Sequence, residues 1–322
     1  MNYAILEENL VSGTFFASLI SFILFLVSIV TKKNNSEKSQ LTSMLGYITM
    51  IFAGITSTLA LFAKWKASGH VPWSNFYESM VLMTTLSVFL FLYVYKKYKN
   101  DILGVVMPPG IVILIGIASI LPKDFRGNDP LVPALQSYWI KIHTTSMIVS
   151  YSVFLLATTT AIAYLILYFI ISRREKVKKI SLASTGPKIA EQNIAFIDTN
   201  IDEKKPNRIN NDTHKGNANL MFFDDITYRL ILLGFPILAF GIITGAMWAN
   251  HAWGNYWSWD PKETASLMSW LFYGAYIHTR VGMNIKGKKS AIIAILAFAS
   301  IIFTYYGVNY LPGLHSYGFS VE

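Results

Sequence analysis

The stretch WGNYWSWDPKE, residues Trp253–Glu263, joins two long apolar segments and ends with the pattern of a helix start. Asp260 is a preferred N-cap residue, Pro261 suits the first helical position, and Glu263 stands three residues after the cap, as a capping box requires. The stretch therefore predicts a short aromatic loop that opens directly into a helix.

Long apolar segments recur on both sides of this loop. The chain has 322 residues, of which 53% are hydrophobic and only 14% are charged, against roughly 25% charged residues in soluble domains. About 20 apolar residues are enough for a helix to cross a bilayer. Eight apolar runs predict an all-α integral membrane protein with eight transmembrane helices: 11–30, 42–62, 77–95, 102–121, 144–171, 226–248, 264–281 and 290–308.

The distribution of lysine and arginine predicts the orientation of these helices. If the eight runs alternate in direction, 20 basic residues fall in the loops on one side and six on the other. Basic loops remain on the cytoplasmic side of a membrane. We therefore expect the richer side to be cytoplasmic, or stromal in an organelle, with both termini on the outer side. The net charge of +9 reflects this bias, and binding to nucleic acid is not expected.

Residues 175–222 differ in composition from the rest of the chain. They are rich in Lys, Asn and Asp and poor in aromatic residues, so they cannot bury enough apolar surface to become ordered. We predict a disordered cytoplasmic or stromal linker between helices one to five (1–174) and helices six to eight (223–322). His214 lies inside this linker and is expected to be solvated.

The loop carries more aromatic side chains than a membrane interface usually needs. Trp and Tyr collect at membrane surfaces, which is one explanation for them. Their crowding into one loop favours another, because a flat, apolar, aromatic-lined surface suits a flat, apolar ligand. The residues expected to form this surface are Trp248, Trp253, Tyr256, Trp257 and Trp259.

Two histidines are predicted to lie at the same membrane level as the loop. His143 opens helix five and His315 follows helix eight, both on the outer side. Ionisable residues at membrane depth are costly and usually functional. Each alone could form a local hydrogen bond, but as a pair they suit the two axial positions of haem iron. The chain has no cysteine, which excludes thiolate ligands and thiol–disulfide chemistry of its own.

The other histidines have less direct interpretations. His278 lies about 26 Å along the helix from Pro261 and is expected near the inner face. There it is either packed against a neighbouring helix or serves as an inner haem ligand. For His70 and His251, both on the outer side, a structural role is favoured over ligation.

In combination these motifs resemble the tryptophan-rich WWD domain of haem-handling proteins. Within that group the chain is similar to the CcsA/ResC family of system II cytochrome c biogenesis, most of all to its cyanobacterial and plastid members. The resemblance extends over nearly the whole chain and rests on GHVPWSNFYES, WIKIHTTSMIVSYSVF, WANHAWGNYWSWDPKE, YIHTR and LHSYGF.

The resemblance implies that haem b is delivered across the membrane and attached covalently to apocytochrome c on the outer or lumenal side. It implies that His143 and His315 are the outer axial ligands, that the tryptophan loop with Asp260 holds the macrocycle, and that His278 is an inner ligand. A CcsB/ResB-like membrane subunit would complete the inner site. A separate thiol-reducing pathway would keep the C-x-x-C-H cysteines of the apocytochrome reduced. The expected location is the thylakoid membrane, or alternatively a bacterial plasma membrane.

No catalytic nucleophile is expected in this chain, because the thiols that react belong to the substrate. The chain would then be a positioning subunit of a cytochrome c synthase. Two alternatives are a haem exporter or chaperone that passes haem to a partner, and a quinone-binding subunit with histidines stacked within single helices. Arg126, Lys141 and Lys262 are candidate partners for the haem propionates, and the sequence does not choose among them.

Overall fold

The computed structural model describes residues 2–32, 35–122, 126–127, 131, 133–184 and 204–315, with side chains at all of these except 178–184 and 204–215. Within these residues the chain is helical and contains no strand. Two short 3-10 helices, Pro133–Gln136 and Gly307–Tyr310, lie between or after the α-helices. The α-helices are α1 (Tyr3–Thr31), α2 (Ser36–Ser68), α3 (Phe76–Tyr98), α4 (Asp101–Val106), α5 (Pro108–Ile120), α6 (Tyr138–Ser184), α7 (Lys204–Trp253), α8 (Pro261–Gly282) and α9 (Lys288–Tyr305).

Seven helical segments in the described part of the chain are long and apolar enough to cross a membrane. Each overlaps one of the predicted apolar runs, so the prediction of a multi-pass, all-α membrane protein is confirmed. Helices α4 and α5 together form one span, Asp101–Ile120, and meet at Met107. They are separate helices because Pro108 has no backbone N–H with which to continue the hydrogen-bond ladder.

Helix α8 corresponds to the remaining predicted run, 264–281, and it is less apolar than the seven spans. Its exposed side carries apolar side chains such as Met268 and Leu271. Its buried side is mostly polar, an arrangement that membrane helices use where they face the interior of a bundle. The buried residues of α8 are Glu263, Ala265, Ser266, Ser269, Tyr273 and Tyr276.

The two ends of α8 lie at opposite ends of the bundle. At its start, Asp260 contacts His315, which follows α9. Near its end, the Nη2 atom of Arg280 lies 2.7 Å from Oδ2 of Asp224, close to the start of the apolar part of α7. Helix α8 therefore runs the length of the bundle between α7 and α9, as an eighth crossing requires.

Helices α6 and α7 extend into the predicted linker at 175–222 from its two sides. Helix α6 continues to Ser184 and helix α7 begins at Lys204, so this segment is helical at 175–184 and 204–222. Lys, Arg and Glu are good helix formers, and adding turns to an existing helix is much easier than starting one. The middle of the predicted linker, 185–203, lies outside the described residues.

The helices pack as neighbouring pairs in two groups, an N-terminal group of α1 to α5 and a C-terminal group of α6 to α9. Helix α1 packs mainly on α2, α6 on α7 and α8 on α9, and α9 also packs on α6. Helix α3 packs on α6 and so joins the two groups. A 2.6 Å hydrogen bond between the hydroxyls of Ser79 and Tyr305 links α3 directly to α9. Towards the end that holds His143 and His315, the groups separate and leave a cavity between them.

A buried ionic cluster fixes the outer ends of α1, α2 and α3. The ammonium group of Lys64 lies 4.0 Å from carboxylate oxygens of both Glu7 and Glu78. It also donates to the backbone carbonyls of Arg126, at 2.6 Å, and Gly127, at 3.3 Å. The cluster thus ties a piece of the α5–α6 connection to the helices beside the cavity.

Candidate functional site

The cavity measures about 750 Å³ and lies at the end of the bundle predicted to face outward. Protein pockets for cofactors and small molecules usually measure ~300–1,000 Å³, so this one is large enough for a macrocycle. Its wall includes His143 from α6, Trp248 from α7 and His315 from the segment after α9. The two histidines predicted to act as a pair are therefore brought to one cavity from distant parts of the chain.

The imidazole of His143 is fixed by the backbone of α7. Its Nδ1 atom lies 2.8 Å from the carbonyl oxygen of Gly241. A carbonyl can only accept, so Nδ1 carries the hydrogen and Nε2 keeps its lone pair. The ring lies parallel to that of Trp248, with centroids 6.2 Å apart.

Close packing of α7 on the His143 ring requires glycine at position 245. A Cβ atom on Gly245 would lie only 2.7 Å from Cε1 and Nδ1 of the imidazole. Small residues at i and i+4, here Gly241 and Gly245, let membrane helices approach closely. Neither glycine is among the site residues predicted from the sequence, although their spacing is a signal of close helix approach.

His315 is fixed by a carboxylate instead of a carbonyl. Its Nδ1 atom lies 2.7 Å from Oδ2 of Asp260, and this again leaves Nε2 for a ligand. Asp260 also accepts from the backbone N–H of Lys262 at 3.0 Å and of Leu314 at 2.6 Å. With Glu263 it forms the predicted capping box at the start of α8. One residue therefore starts the helix and orients a histidine 55 positions away.

The environment keeps His315 neutral and Asp260 ionised. Burial lowers the pKa of His315, and the positive charge of Lys262 lowers it further, against the opposing effect of the Asp260 carboxylate. Burial alone would raise the pKa of Asp260. The hydrogen bonds from Lys262, His315 and Leu314 outweigh burial and hold this pKa below its usual value. A neutral imidazole oriented by a carboxylate is a common arrangement for a metal ligand.

Three of the predicted tryptophans lie around the histidine pair. Trp248 is buried, and its Nε1 donates to the carbonyl of Ala134 at 2.9 Å. The ring of Trp253 packs edge-on against Trp248, at 4.7 Å, and against His315, at 4.9 Å. Trp257 lies on the cavity wall. Trp248 is thus in ring contact with both histidines.

Tyr256 and Trp259 lie in the same loop but outside the cavity wall. Their exposed fractions are 61% and 69%. The backbone at Trp259 is in the left-handed region, with φ of 59°, a conformation that disfavours side chains with a Cβ atom. This turn brings the chain directly into Asp260, so the position of Trp259 is explained by the loop geometry.

The structure distinguishes among the three cations proposed to meet a carboxylate ligand. Lys141 and Lys262 both lie on the cavity wall, and Lys262 donates to Oδ1 of Asn309 at 3.1 Å. The guanidinium of Arg126 is bonded to the carbonyl of Ser119 and lies 5.6 Å from the centre of the Tyr77 ring. Arg126 is therefore held within the N-terminal group of helices, away from the cavity wall.

The remaining histidines lie in three different settings. His278 is exposed near the inner end of α8, far from the cavity, and His251 is exposed at the end of α7. His70 lies on the cavity wall, a position that the sequence analysis did not anticipate. The side chain of His214 lies outside the described residues.

Residues 73–315 match the family model described as Cytochrome C assembly protein. The cytochrome c biogenesis protein CcsA of Pyropia yezoensis is 36% identical to this chain over 326 residues, which span 99% of each protein. The protein of the same name from Marchantia polymorpha is 39% identical over 290 residues, spanning 87% of this chain and 88% of the relative. That from Chlorella vulgaris is 38% identical over 285 residues, spanning 85% and 88%.

Proposed function

The chain belongs to the cytochrome c assembly protein family as a CcsA member of the plastid type, and from that premise we propose that it delivers haem b for covalent attachment to apocytochrome c. Family membership supports a role in cytochrome c maturation. The cavity supports the finer proposal that haem, as the transported substrate, is bound and presented at the outer face.

The observation that carries this proposal is the paired anchoring of His143 and His315. Both Nδ1 atoms are bonded to protein oxygens, and both side chains line one cavity. Two neutral imidazoles are one of the axial ligand pairs that complete six-coordinate haem iron. The residues present therefore fit bis-histidine ligation by Nε2 of each ring. Their location on separate elements also argues against the quinone-binding alternative, which predicts histidines stacked within single helices.

The rest of the cavity wall suits the other parts of haem. Trp248 and Trp257 offer apolar aromatic surface to the porphyrin ring. Trp253 packs edge-on against the ring of His315. Lys141 and Lys262 supply positive charge for the two propionates. The wall thus combines an aromatic surface, candidate axial ligands and cations in one cavity.

Attachment itself consists of two additions that are balanced without any oxidant. Each cysteine S–H of the C-x-x-C-H segment adds across a vinyl group, so that sulfur bonds to one vinyl carbon and hydrogen to the other. The nucleophile comes from the apocytochrome. This chain contributes by holding haem in one orientation, which replaces a bimolecular encounter with a fixed geometry.

At the inner end of the chain, the exposure of His278 supports a haem site shared with a partner subunit. His278 is exposed on α8, so any ligand set that includes it is completed from outside this chain. We assign that role to a CcsB/ResB-like membrane subunit, and assign the complex to the thylakoid membrane. A separate thiol-reducing pathway then supplies the reduced apocytochrome, because this chain has no cysteine.

The proposal is tested by co-expressing the chain, its partner and an apocytochrome in a bacterium without its own cytochrome c assembly system. Covalent haem is measured by haem staining of denaturing gels and by the pyridine haemochrome spectrum. We expect covalent haem with the wild-type chain, none with His143→Ala/His315→Ala, and a normal amount with the control His251→Ala.

Adding haem to the outer compartment separates attachment from export. If the chain presents haem for attachment, added haem does not restore cytochrome c to the double variant. Restoration by added haem would contradict the proposal and identify the chain as an exporter.

A further inference from the structure

We propose that His70 is a third iron ligand of the cavity, which binds haem iron in place of His315 at a second position on the wall between α2 and α3. This inference rests on the proposed function and extends it to the regulation of the same site. It concerns a residue that lies three positions before the part of the chain matched by the family model.

The first support is that Nδ1 of His70, like Nδ1 of His143 and of His315, faces protein oxygens, although at longer distances. Its Nδ1 atom lies 3.3 Å from the carbonyl oxygen of Val71 and 3.5 Å from the hydroxyl of Ser74. Nδ1 is thus turned towards the chain's own oxygens, and Nε2 remains for a ligand. Histidines that bind metals almost always have such a partner on the other ring nitrogen.

The second support is a buried carboxylate behind this anchor. The hydroxyl of Ser74 donates to Oε2 of Glu78 at 2.8 Å, and the backbone N–H of Ser74 donates to the same oxygen at 2.9 Å. Glu78 is only 1% exposed. A buried carboxylate therefore stands behind His70, as Asp260 stands behind His315. The difference is that the Ser74 hydroxyl lies between Glu78 and the His70 imidazole.

The third support is the aromatic character of the wall on which His70 lies. Trp65, Trp73 and Phe76 line the cavity together with His70. They place apolar aromatic surface beside this imidazole, as Trp248 and Trp257 do on the part of the wall that holds the histidine pair. Phe76 also packs against Tyr305 of α9, with ring centroids 4.9 Å apart, so this wall is joined to the C-terminal helices.

A third ligand provides a route by which haem exchanges ligands without leaving the cavity. When iron moves from His315 to His70, one iron–nitrogen bond breaks and one forms, and no electron or proton is transferred. His315 lies beyond the last helical turn, whereas His143 lies within α6. We therefore assign the exchange to His315 and the constant ligand to His143.

The test is the visible absorption spectrum of the chain purified with its partner, in the background His315→Ala. We expect His315→Ala to retain the low-spin α and β bands, because His70 replaces the missing imidazole. In His70→Ala/His315→Ala we expect a high-spin spectrum and haem binding weaker by about tenfold or more. The matched control is His251→Ala/His315→Ala, which removes an exposed outer histidine and is expected to behave like His315→Ala alone.

Gel filtration of the complex shows whether the double variant is still folded and still holds haem. Free imidazole is then expected to restore the low-spin bands to the haem that elutes with His70→Ala/His315→Ala, because it fills the axial position that neither histidine occupies. If the double variant already has the same spectrum as His315→Ala, the inference is wrong. If His70→Ala/His315→Ala does not fold, the milder variant His70→Gln/His315→Ala replaces it, and its spectrum is compared with that of His315→Ala in the same way.

The outcomes distinguish this inference from the function on which it rests. A high-spin spectrum already in His315→Ala, with a low-spin wild type, overturns the role of His70 and leaves the outer haem site in place. Absence of haem from the wild-type complex, with haem supplied, overturns both.

Discussion

The outer and inner histidines of this chain have opposite surroundings. His143 and His315 line a shared cavity, each with Nδ1 bonded to a protein oxygen and with Trp248 in ring contact. His278, near the other end of α8, is exposed on the surface of the bundle. The ion pair nearest to it along the helix, Arg280 with Asp224, serves to join α8 to α7.

This difference indicates which site the chain can build by itself. Positions of ligands in a metal site depend on partners that fix each ring, and the outer pair has them within this chain. At the inner end, His278 is exposed on the surface of α8, and in the proposed function a partner subunit completes the ligand set there. We therefore expect variants at the outer end to act on haem directly, and variants at the inner end to act through the partner.

The largest effect is expected from Asp260→Asn compared with Asp224→Asn. Asparagine is as good an N-cap as aspartate, so α8 is retained, but His315 loses its anionic partner. Loss of such a partner typically weakens metal binding by ~10–100-fold, and a less basic imidazole raises the midpoint potential of the iron. Haem titration and spectroelectrochemistry of the purified complex measure both quantities.

The matched variant Asp224→Asn weakens the pair with Arg280 at the inner end. It is expected to leave the affinity and the potential of the outer haem unchanged. Equal changes in haem affinity and midpoint potential in Asp260→Asn and Asp224→Asn would contradict the proposal that only the outer end binds haem directly within this chain.

A smaller loss is expected from Gly245→Ala compared with Gly282→Ala. The new Cβ at position 245 would lie 2.7 Å from the His143 ring, whereas at position 282 it would lie 3.6 Å from the His278 ring, an ordinary contact. Overpacking costs about 1–3 kcal/mol, so haem retained by Gly245→Ala should fall by at least about fivefold. The ratio of haem to protein after purification measures this, and a loss confined to Gly282→Ala would contradict it.

The pH dependence of the outer site gives a third comparison. Burial and then Lys262 lower the pKa of His315, so the neutral, ligating form persists as pH falls below the ordinary histidine value. In a His70→Ala background, where no third imidazole can replace His315, the low-spin spectrum is lost only as pH falls through the lowered pKa of His315. Lys262→Gln removes one cause of the lowering, so the loss should begin at higher pH.

An acid titration of the low-spin band measures this midpoint. Lys288→Gln, at the start of α9 on the inner end, is the control and is expected to leave it unchanged. A midpoint that moves to lower pH in Lys262→Gln would contradict the proposed electrostatics.

The smallest effect is expected from Trp259→Gly, within the loop itself. Glycine accepts the left-handed backbone at this position, and the relief of strain offsets the greater freedom of the unfolded chain, so stability should change by less than about 1 kcal/mol. Haem content should stay the same because Trp259 is exposed. Thermal unfolding and haem content of the complex test this, and a marked loss of haem would place Trp259 in the site after all.

Local sequence signals were sufficient for much of the fold. The apolar runs predicted the spans, and the pattern Asp260, Pro261, Glu263 predicted the start of α8, because helix length and capping depend on neighbouring residues. The polar composition of 175–222 did not indicate how far the helices extend into it. Its ends continue α6, to Ser184, and α7, from Lys204.

The site was only partly predictable because its contacts join distant residues. The membrane level of His143 and His315 followed from the topology. The contact of Asp260 with His315, the fit of Gly245 against His143 and the position of His70 on the cavity wall all depend on how the two groups of helices meet. The polar, inward face of α8 likewise became interpretable only once its neighbours were placed.

The most direct test of the account is the visible absorption spectrum of the purified complex in three forms: wild type, His143→Ala/His315→Ala, and His278→Ala. The account predicts low-spin bis-histidine bands in the wild type, their loss in the double variant, and their retention at the outer site in His278→Ala. A double variant with the spectrum of the wild type would contradict the account and place the bound haem elsewhere.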